Sequence, residues 1–391
     1  IPQFIKDHNL NNGIIYGVRV PGEEPIELLN WLSCDINDSR ISSYAVMDNG
    51  HVIALESVAQ ASEGYDTAYA YNLVSAGLVD RSSVPEKQEL TLACLRLDNE
   101  IKDQIIRFNR SRDDIHVTVQ NYTLTGMDGL RTDIEAGSVP DLIMTEGVPV
   151  EKYVQEGLLV DLWPLIDGDD ALNKHELMSH LFEIVSINDG LYEAAPFFSI
   201  ISAAANSEIV GTKDNWTTDE LLTVMDTLAQ EATIFGSANA SEIYLNNYLF
   251  RILNTYIDWE QGTGHFASDD FIQHLTFLSH LSEESAKFET STANNSSEFE
   301  RIYEKTQLLT ECYVDSLDQI KYANAMHRSS AAFWGYPSNT LDNNLAELID
   351  PIAITTSCAN TDAAWQYVRT VLTEDYQISA EISGFPTNKK A

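Results

Sequence analysis

Strand-like and helix-like segments alternate over residues 90–164, and this alternation constrains the fold more than any other feature. Residues 90–94 form a short apolar run of the size of a buried strand. Residues 115–119 alternate apolar and polar side chains, as a half-buried strand does, and residues 100–109 place apolar side chains at helical spacing. Because the connections are short, the pattern predicts a parallel sheet with right-handed crossovers, and hence an α/β fold.

The carboxyl ends of the strands are where a sheet of this kind binds its ligand. The first predicted strand is followed by residues 96–98, and the third, residues 141–144, is followed by residues 145–147. Polar side chains that could hydrogen-bond a ligand occur at these ends: Arg96, Asp98, Asn99, Thr145 and Glu146. Asp98 could instead cap the helix that follows it, and both interpretations stay open.

The charge of the chain excludes one class of partner. Its 391 residues include 60 acidic and 23 basic side chains, which give a formal net charge of −37. Such a surface repels phosphate backbones and anionic lipid, so we expect no nucleic-acid partner. The length is sufficient for two or three domains. No apolar run reaches 18 residues, so no segment is predicted to span a membrane.

Residues 1–87 differ from the rest of the chain because they are rich in strand-like runs. Asn49-Gly50 lies between two apolar runs and predicts a hairpin, since both residues tolerate positive φ. Runs at intervals of about ten residues suggest one or two blades of a β-propeller, or a small sheet. We interpret the segment as an accessory or spacer domain, with a second recognition module as the alternative. Residues 81–88 form the predicted linker.

Helix signals dominate the region after residue 216. Thr217 and Glu220 have the spacing of a capping box, and Ser268 precedes a run that would bury leucines at helical spacing. These segments predict a mainly helical second lobe. Tyr244 and Tyr248 lie near one face of one of its helices and could offer rings and hydroxyl groups to a ligand, although packing in the core is the competing interpretation.

Signatures of common enzymes are missing from the sequence. It contains no G-x-S-x-G, no Walker lysine and no G-x-G-x-x-G. His175 and His180 are five residues apart, so they would point about 140° apart around a helix and cannot form a zincin pair. The four cysteines form no C-x-x-C. We therefore expect no catalytic residues, no metal ion and no cofactor, although a carboxylate pair could not be recognised among so many acidic residues.

Five segments between about residue 89 and the C-terminus carry a family resemblance. They are Phe108-Asn109, residues 134–142 (IEAGSVPDL), residues 154–162 (VQEGLLVDL), residues 189–196 (DGLYEAAP) and residues 360–368 (NTDAAWQYV). In this order they resemble the extracellular solute-binding proteins of ABC transporters, and most closely the branch typified by maltose-binding protein. The chain departs from that branch at residues 95–97, where a tryptophan is common, so the size of the ligand stays open.

The resemblance implies a two-lobe periplasmic-binding-protein fold of type II, preceded by the β-rich segment. On this basis we predict three regions: residues 1–87, a first lobe of residues 88–197 and 350–384, and a second lobe of residues 198–349 and 385–391. We expect the second lobe to be truncated at the C-terminus. The lobes would close around the ligand through a hinge.

A cleft for sugar also needs aromatic side chains, because flat rings stack on the apolar faces of pyranoses. Trp334 and Tyr336 lie in a segment with glycine and proline, from which we expect side chains to project rather than fill a core. The resemblance implies a stacking tryptophan at Trp334. Phe197 and Phe198 follow the predicted crossing between the lobes, and one of them should face the floor of the cleft.

The resemblance also implies partners and a location. The predicted ligand is a sugar or oligosaccharide, the predicted partner is an ABC permease, and we expect a monomer without enzyme activity. The protein would be extracellular and held at a bacterial cell surface by a lipid anchor. Two alternatives stay open: a carbohydrate-active enzyme, such as a lyase or glycosidase with a β accessory domain, and an interaction module whose β domain docks a partner.

Overall fold

The computed structural model of the chain divides into two compact units. Unit 1 contains Ile1–Val148 and Ile352–Val371, and unit 2 contains Pro149–Pro351 and Leu372–Ala391. The structure describes the following residues: 3–6, 13–18, 26–47, 51–60, 68–77, 79–80, 82, 84–172, 174–211, 213, 216–228, 231–259, 261–339, 343–380 and 383–391.

The described residues contain seventeen strands and fourteen α-helices, numbered in chain order. The strands are β1 (Gln3–Lys6), β2 (Ile14–Val18), β3 (Ile26–Asn30), β4 (Ile41–Val46), β5 (Val52–Gln60), β6 (Ala68–Ala76), β7 (Gln88–Cys94), β8 (Ile115–Asn121), β9 (Leu142–Met144), β10 (Phe197–Asn206), β11 (Ile257–Asp258), β12 (Thr263–Gly264), β13 (Leu309–Val314), β14 (Ala331–Phe333), β15 (Leu345–Ile349), β16 (Ile352–Ile354) and β17 (Phe385–Pro386). The helices are α1 (Asn99–Ser111), α2 (Gly126–Glu135), α3 (Val150–Gln155), α4 (Trp163–Asp167), α5 (Ser179–Ile184), α6 (Ser207–Val210), α7 (Thr218–Met225), α8 (Ala240–Tyr244), α9 (Phe250–Ile252), α10 (Asp269–Glu289), α11 (Glu298–Tyr303), α12 (Leu317–Met326), α13 (Thr361–Val371) and α14 (Glu374–Ser379).

A four-stranded sheet in the order β16-β9-β7-β8 forms the centre of unit 1. β7 is parallel to both β8 and β9, with Leu90 opposite Val117, and β16 is antiparallel to β9. α1 connects β7 to β8. Its Ile101 and Ile105 are buried, and each of these residues has an exposed fraction of 1%. The predicted parallel sheet with intervening helices is therefore confirmed.

Two three-stranded antiparallel sheets, β1-β2-β3 and β4-β5-β6, precede this sheet in unit 1. The predicted hairpin partners are confirmed, since β4 and β5 pair antiparallel with Val46 opposite Val52. The Asn49-Gly50 turn itself lies outside the described residues. The resemblance of these strands to propeller blades stays a prediction, as do the lobe boundaries.

Residues 35–40 attach the N-terminal strands to α1. The Lys102 ammonium on α1 is 2.5 Å from Asp38 Oδ1, and only 5% of the lysine side chain is exposed. Asn37 Nδ2 donates to Asp103 Oδ1 at 2.9 Å. A buried charge is costly unless it is paired. The pairing of Lys102 therefore holds the N-terminal segment against the helix.

The long strand β10 organises unit 2. It pairs antiparallel with β13, β14, β15 and β17. The small side chains of its second half allow close packing, and Ala203, Ala204 and Ala205 are fully buried. The predicted capping box of Thr217 and Glu220 at the start of α7 is confirmed, and so is the Ser268 cap of α10. Within the described part of the chain, no helix has the length and apolarity needed to cross a membrane.

Candidate functional site

Three of the predicted ligand-binding residues meet at the carboxyl edge of the unit 1 sheet. Because β7 and β9 are parallel neighbours, the segments that follow them lie side by side. Arg96, after β7, donates from Nη2 and Nε to Glu146 Oε2, after β9, at 2.8 and 3.1 Å. Arg96 Nη1 also forms an ion pair with Asp98 Oδ2. We call Arg96, Asp98 and Glu146 the strand-end cluster.

Asp98 has a structural role as well as its place in the cluster. Its Oδ1 accepts a hydrogen bond from Ile101 N at 3.0 Å, and this bond caps the N-terminus of α1. The capping role that competed with ligand binding is therefore confirmed. Since Oδ2 is engaged by Arg96, the carboxylate is oriented by the helix on one side and by the guanidinium on the other.

The strand-end cluster is open to solvent. The exposed fraction of the side chain is 48% for Arg96 and 56% for Glu146. A guanidinium donates and carboxylates accept, so the cluster can offer both kinds of hydrogen bond to a polar ligand. Asn99, the first residue of α1, is exposed beside Asp98, whereas Thr145 is buried, and its carbonyl accepts from Val148 N at 2.9 Å. Whether any of the five binds a ligand stays a prediction.

The predicted aromatic residues lie in a different environment, the core of unit 2. Tyr244, Tyr248 and Tyr336 are fully buried and belong to one hydrophobic cluster. Tyr248 stacks on Tyr336 with ring centroids 5.3 Å apart, and Tyr244 meets Phe277 edge-on at 4.9 Å. A ligand ring can stack only on an exposed face. All three tyrosines therefore pack in the core, which for Tyr244 and Tyr248 is the competing interpretation.

The hydroxyl groups of two of these tyrosines have partners inside the core. Tyr244 Oη is 2.7 Å from Nδ1 of the buried His274, and Tyr336 Oη donates to Glu311 Oε1 at 3.3 Å. Burial raises the pKa of both phenols above its ordinary value, and the neighbouring carboxylate adds to the effect for Tyr336. The hydroxyls therefore stay protonated and act as hydrogen-bond partners that hold the cluster together.

Trp334 also turns inward, with an exposed fraction of 5%. Its ring meets Trp216 edge-on at 5.4 Å, and Trp216 Nε1 donates to Gly335 O at 3.0 Å. Gly335 has a φ of +74°, and a Cβ there would lie 2.0 Å from Asn343 O. The expectation that this segment projects its rings away from the core is therefore wrong. The tight turn at Gly335 directs both Trp334 and Tyr336 into unit 2.

Phe197 and Phe198 begin β10, so their side chains point to opposite faces of the strand. The exposed fractions are 4% for Phe197 and 9% for Phe198. The ring of Phe198 lies 5.7 Å from that of Phe385 on the neighbouring β17. Both phenylalanines thus pack within the sheet of unit 2, and the contact of one of them with a ligand stays a prediction.

The family profile described as bacterial extracellular solute-binding protein matches residues 104–391. The chain belongs to this family. Membership confirms the family predicted from the sequence and, together with the two compact units, the predicted α/β fold class of periplasmic binding proteins. Capture of a solute outside the bacterial cell is therefore the role of this chain. No curated protein sequence matches it.

Several solved structures are similar to this solute-binding protein. The sugar-binding protein MalE from Xanthomonas citri is 14% identical, over 77% of this chain and 80% of that chain, with a TM-score of 0.49. A solute-binding protein of an ABC transporter from Thermotoga lettingae, bound with α-D-tagatose, is 17% identical over 78% and 82%, with a TM-score of 0.45. A periplasmic oligogalacturonide-binding protein from Yersinia enterocolitica is 13% identical over 77% and 80%, with a TM-score of 0.46.

The solute-binding protein also has a cavity that the sequence did not indicate. It has a volume of about 370 Å³, lies in unit 2 and is lined by Trp163, Ser186 and Asp189 among others. The Lys174 ammonium lies 4.6 Å from the centre of the Trp163 ring. No spacing pattern in the sequence joins Trp163 to the other residues of this cavity. Among the described residues, no group of three His, Cys, Asp or Glu side chains could hold a metal ion.

Proposed function

We propose that this extracellular solute-binding protein captures a carbohydrate and delivers it to the permease of an ABC importer without changing it chemically. The observation that carries the proposal is the strand-end cluster, which lies at the carboxyl edge of a parallel sheet and is open to solvent. Sugar hydroxyls both donate and accept hydrogen bonds, and a guanidinium between two carboxylates complements both functions. Asn99 and Thr145, at the same edge, are further candidates for ligand contact.

The charge of the cluster favours a neutral ligand. Arg96 contributes one positive charge, whereas Asp98 and Glu146 contribute two negative charges. The whole chain has a formal net charge of −37, so an anionic sugar would approach against long-range repulsion as well. We therefore propose a neutral mono- or oligosaccharide. Among the aromatic candidates we retain Phe198, whose exposed fraction of 9% is the largest of the six.

The rest of the proposal concerns the working cycle and the location. In this proposal, two lobes close on the sugar. The first consists of residues 88–197 and 350–384, and the second of residues 198–349 and 385–391. Closure is driven by the better binding of the ligand to the closed state. The protein acts as a monomer, and a lipid anchor keeps it at the cell surface near its permease.

Isothermal titration calorimetry against a panel of neutral mono- and oligosaccharides tests the proposal. We expect the wild type to bind at least one sugar and Arg96→Gln to weaken that binding by about tenfold or more, because a lost charged hydrogen bond costs about 1.5–3 kcal/mol. Arg131→Gln is the matched control. Arg131 is another half-exposed arginine of unit 1, paired with Asp128 at 2.9 Å, and its loss should leave the affinity unchanged.

Three outcomes would count against parts of the proposal. A wild type that binds no sugar of the panel, in a preparation with cooperative thermal unfolding, would refute carbohydrate capture. Equal affinities of Arg96→Gln and Arg131→Gln would leave the function standing but remove the strand-end cluster from the site. Mass spectrometry of the sugar recovered after titration should show the starting compound, and a converted sugar would favour the enzyme alternative.

A further inference from the structure

A second cavity, with a volume of about 560 Å³, lies within unit 2. This volume is in the range of small-molecule sites. One wall is a face of α10 on which His280, Glu283, Glu284, Lys287 and Phe288 follow one another at helical spacing. The rest of the lining comes from the end of α7, the residues after it and Ser291. None of the strand-end cluster residues contributes to this cavity.

Glu284 is the buried polar residue of the cavity, with an exposed fraction of 7%. Its Oε1 accepts hydrogen bonds from Ile234 N at 2.7 Å and from Phe235 N at 3.4 Å. Among the hydrogen bonds between described residues, none has Glu284 Oε2 as its acceptor. The two backbone amides thus fix the orientation of the carboxyl group, and the second oxygen is left for a group that enters the cavity.

The remaining charges around the cavity favour a cation. Asp226, Glu231 and Glu283 line it in addition to Glu284, whereas Lys287 is the one lysine or arginine in the described lining. The C-terminal end of α7 also lies at this cavity, since Met225 and the capping Asp226 belong to its lining. A helix C-terminus carries partial negative charge and attracts cations.

The chemistry of the site indicates an organic cation with an apolar part. Phe288 and Leu228 give the cavity an apolar wall that an alkyl chain could contact. A hard metal ion needs several oxygen ligands at once. In the part of the chain that the structure describes, no three acidic, histidine or cysteine side chains are grouped for that purpose. A single ammonium group needs only one well-placed carboxylate.

We propose that this cavity is a second ligand site of the protein and that it binds a small primary amine, whose ammonium group pairs with Glu284 while its alkyl chain lies against Phe288. The site is independent of the proposed carbohydrate site, because the two share no residue. Burial raises the pKa of Glu284 to about 7, so the carboxyl group is readily ionised when a cation arrives to compensate its charge. The exposed Lys287 opposes the cation.

Titration with n-pentylamine, followed by NMR of the full chain at low ionic strength, tests the proposal, with n-pentanol as the neutral probe of the same length. We expect saturable binding of the amine and at least about tenfold weaker binding of the alcohol. Glu284→Gln should weaken amine binding by about tenfold, and its amide oxygen can still accept from Ile234 N. Lys287→Gln should tighten binding by about threefold, since a nearby like charge is removed.

Lys321→Gln is the control for the general effect of removing a positive charge, because Lys321 is an exposed lysine elsewhere in unit 2. It should leave the amine affinity unchanged. Equal binding of amine and alcohol would overturn the proposal, because it would mean a purely apolar cavity. Equal effects of Lys287→Gln and Lys321→Gln, or an amine affinity unaltered in Glu284→Gln, would overturn it as well.

Discussion

His327 should make the stability of unit 2 depend on pH. It follows α12, is 1% exposed, and its Nε2 lies 3.2 Å from Thr310 Oγ1 on β13. Its backbone carbonyl accepts from Asn206 Nδ2 at 3.2 Å, so the residue joins α12 to two strands of the sheet. Burial lowers the pKa of the imidazole from 6.5 to about 4. The ring is therefore neutral in the folded protein at pH values where it is charged in the unfolded chain.

The sign and size of the effect follow from this difference in pKa. As pH falls below 6.5, the unfolded chain binds a proton that the folded protein binds only near pH 4, so stability is lost over this interval. The full loss is about 3 kcal/mol, of which about 2 kcal/mol falls between about pH 7 and about pH 5. His274, whose pKa burial also lowers, acts in the same direction.

Urea unfolding of the wild type and of His327→Gln at about pH 7 and about pH 5 measures this contribution. Glutamine can keep a hydrogen bond to Thr310 but takes up no proton in this range. We expect the wild type to lose about 2 kcal/mol more than the variant on acidification. His274 is present in both proteins and cancels. His180→Gln, at an exposed histidine, should behave as the wild type does. Parallel pH profiles of the wild type and His327→Gln would refute the reasoning.

Two further predictions concern other buried polar side chains. Glu284 should act with the opposite sign, because its pKa is raised from 4.5 to about 7. The stability of the folded protein is therefore lost as pH rises through this interval, by about 3 kcal/mol in all. Glu284→Gln should abolish that loss in the same urea assay. Asn109→Ala should destabilise unit 1 by about 2–3 kcal/mol, because the amide donates to Val117 O at 3.0 Å and accepts from Val117 N at 2.8 Å. Thermal unfolding compares it with the exposed Asn294→Ala, and equal stabilities of the two variants would contradict the role of Asn109.

The sheet of unit 1 could be predicted because its signals are local. The apolar run that became β7 and the alternation that became β8 each show their period within a few residues. Gly137 follows α2 with a φ of +85°, the left-handed conformation in which glycine commonly ends a helix. The proximity of the residues of the strand-end cluster could be predicted for a related reason. Once the order of the strands is known, residues after neighbouring strands must lie together.

The environment of the aromatic residues could not be predicted in the same way. Tyr244 and Tyr248 are spaced as a helix face requires, and that spacing is the same whether the face meets a ligand or a core. Trp334 turns inward because Gly335 bends the chain close to Asn343, whose Nδ2 donates to Tyr336 O at 2.6 Å. A contact of this kind depends on the tertiary fold, and no local pattern indicates it.

The burial of Lys102 could not be predicted from local sequence either, because it depends on a contact with the N-terminal segment. Lys102 lies in α1, and a lysine in a helix ordinarily predicts a solvated position. In the folded protein it is buried because Asp38, 64 positions earlier, pairs with it. Asn109 has a similar double attachment, to β8 through Val117 and to Asp35 at 2.9 Å. The surface of α1 is thus completed by residues of the β-rich segment. A polar face that looks exposed in the sequence is here an internal contact of unit 1, and the segment is part of what keeps α1 and its capping aspartate in position.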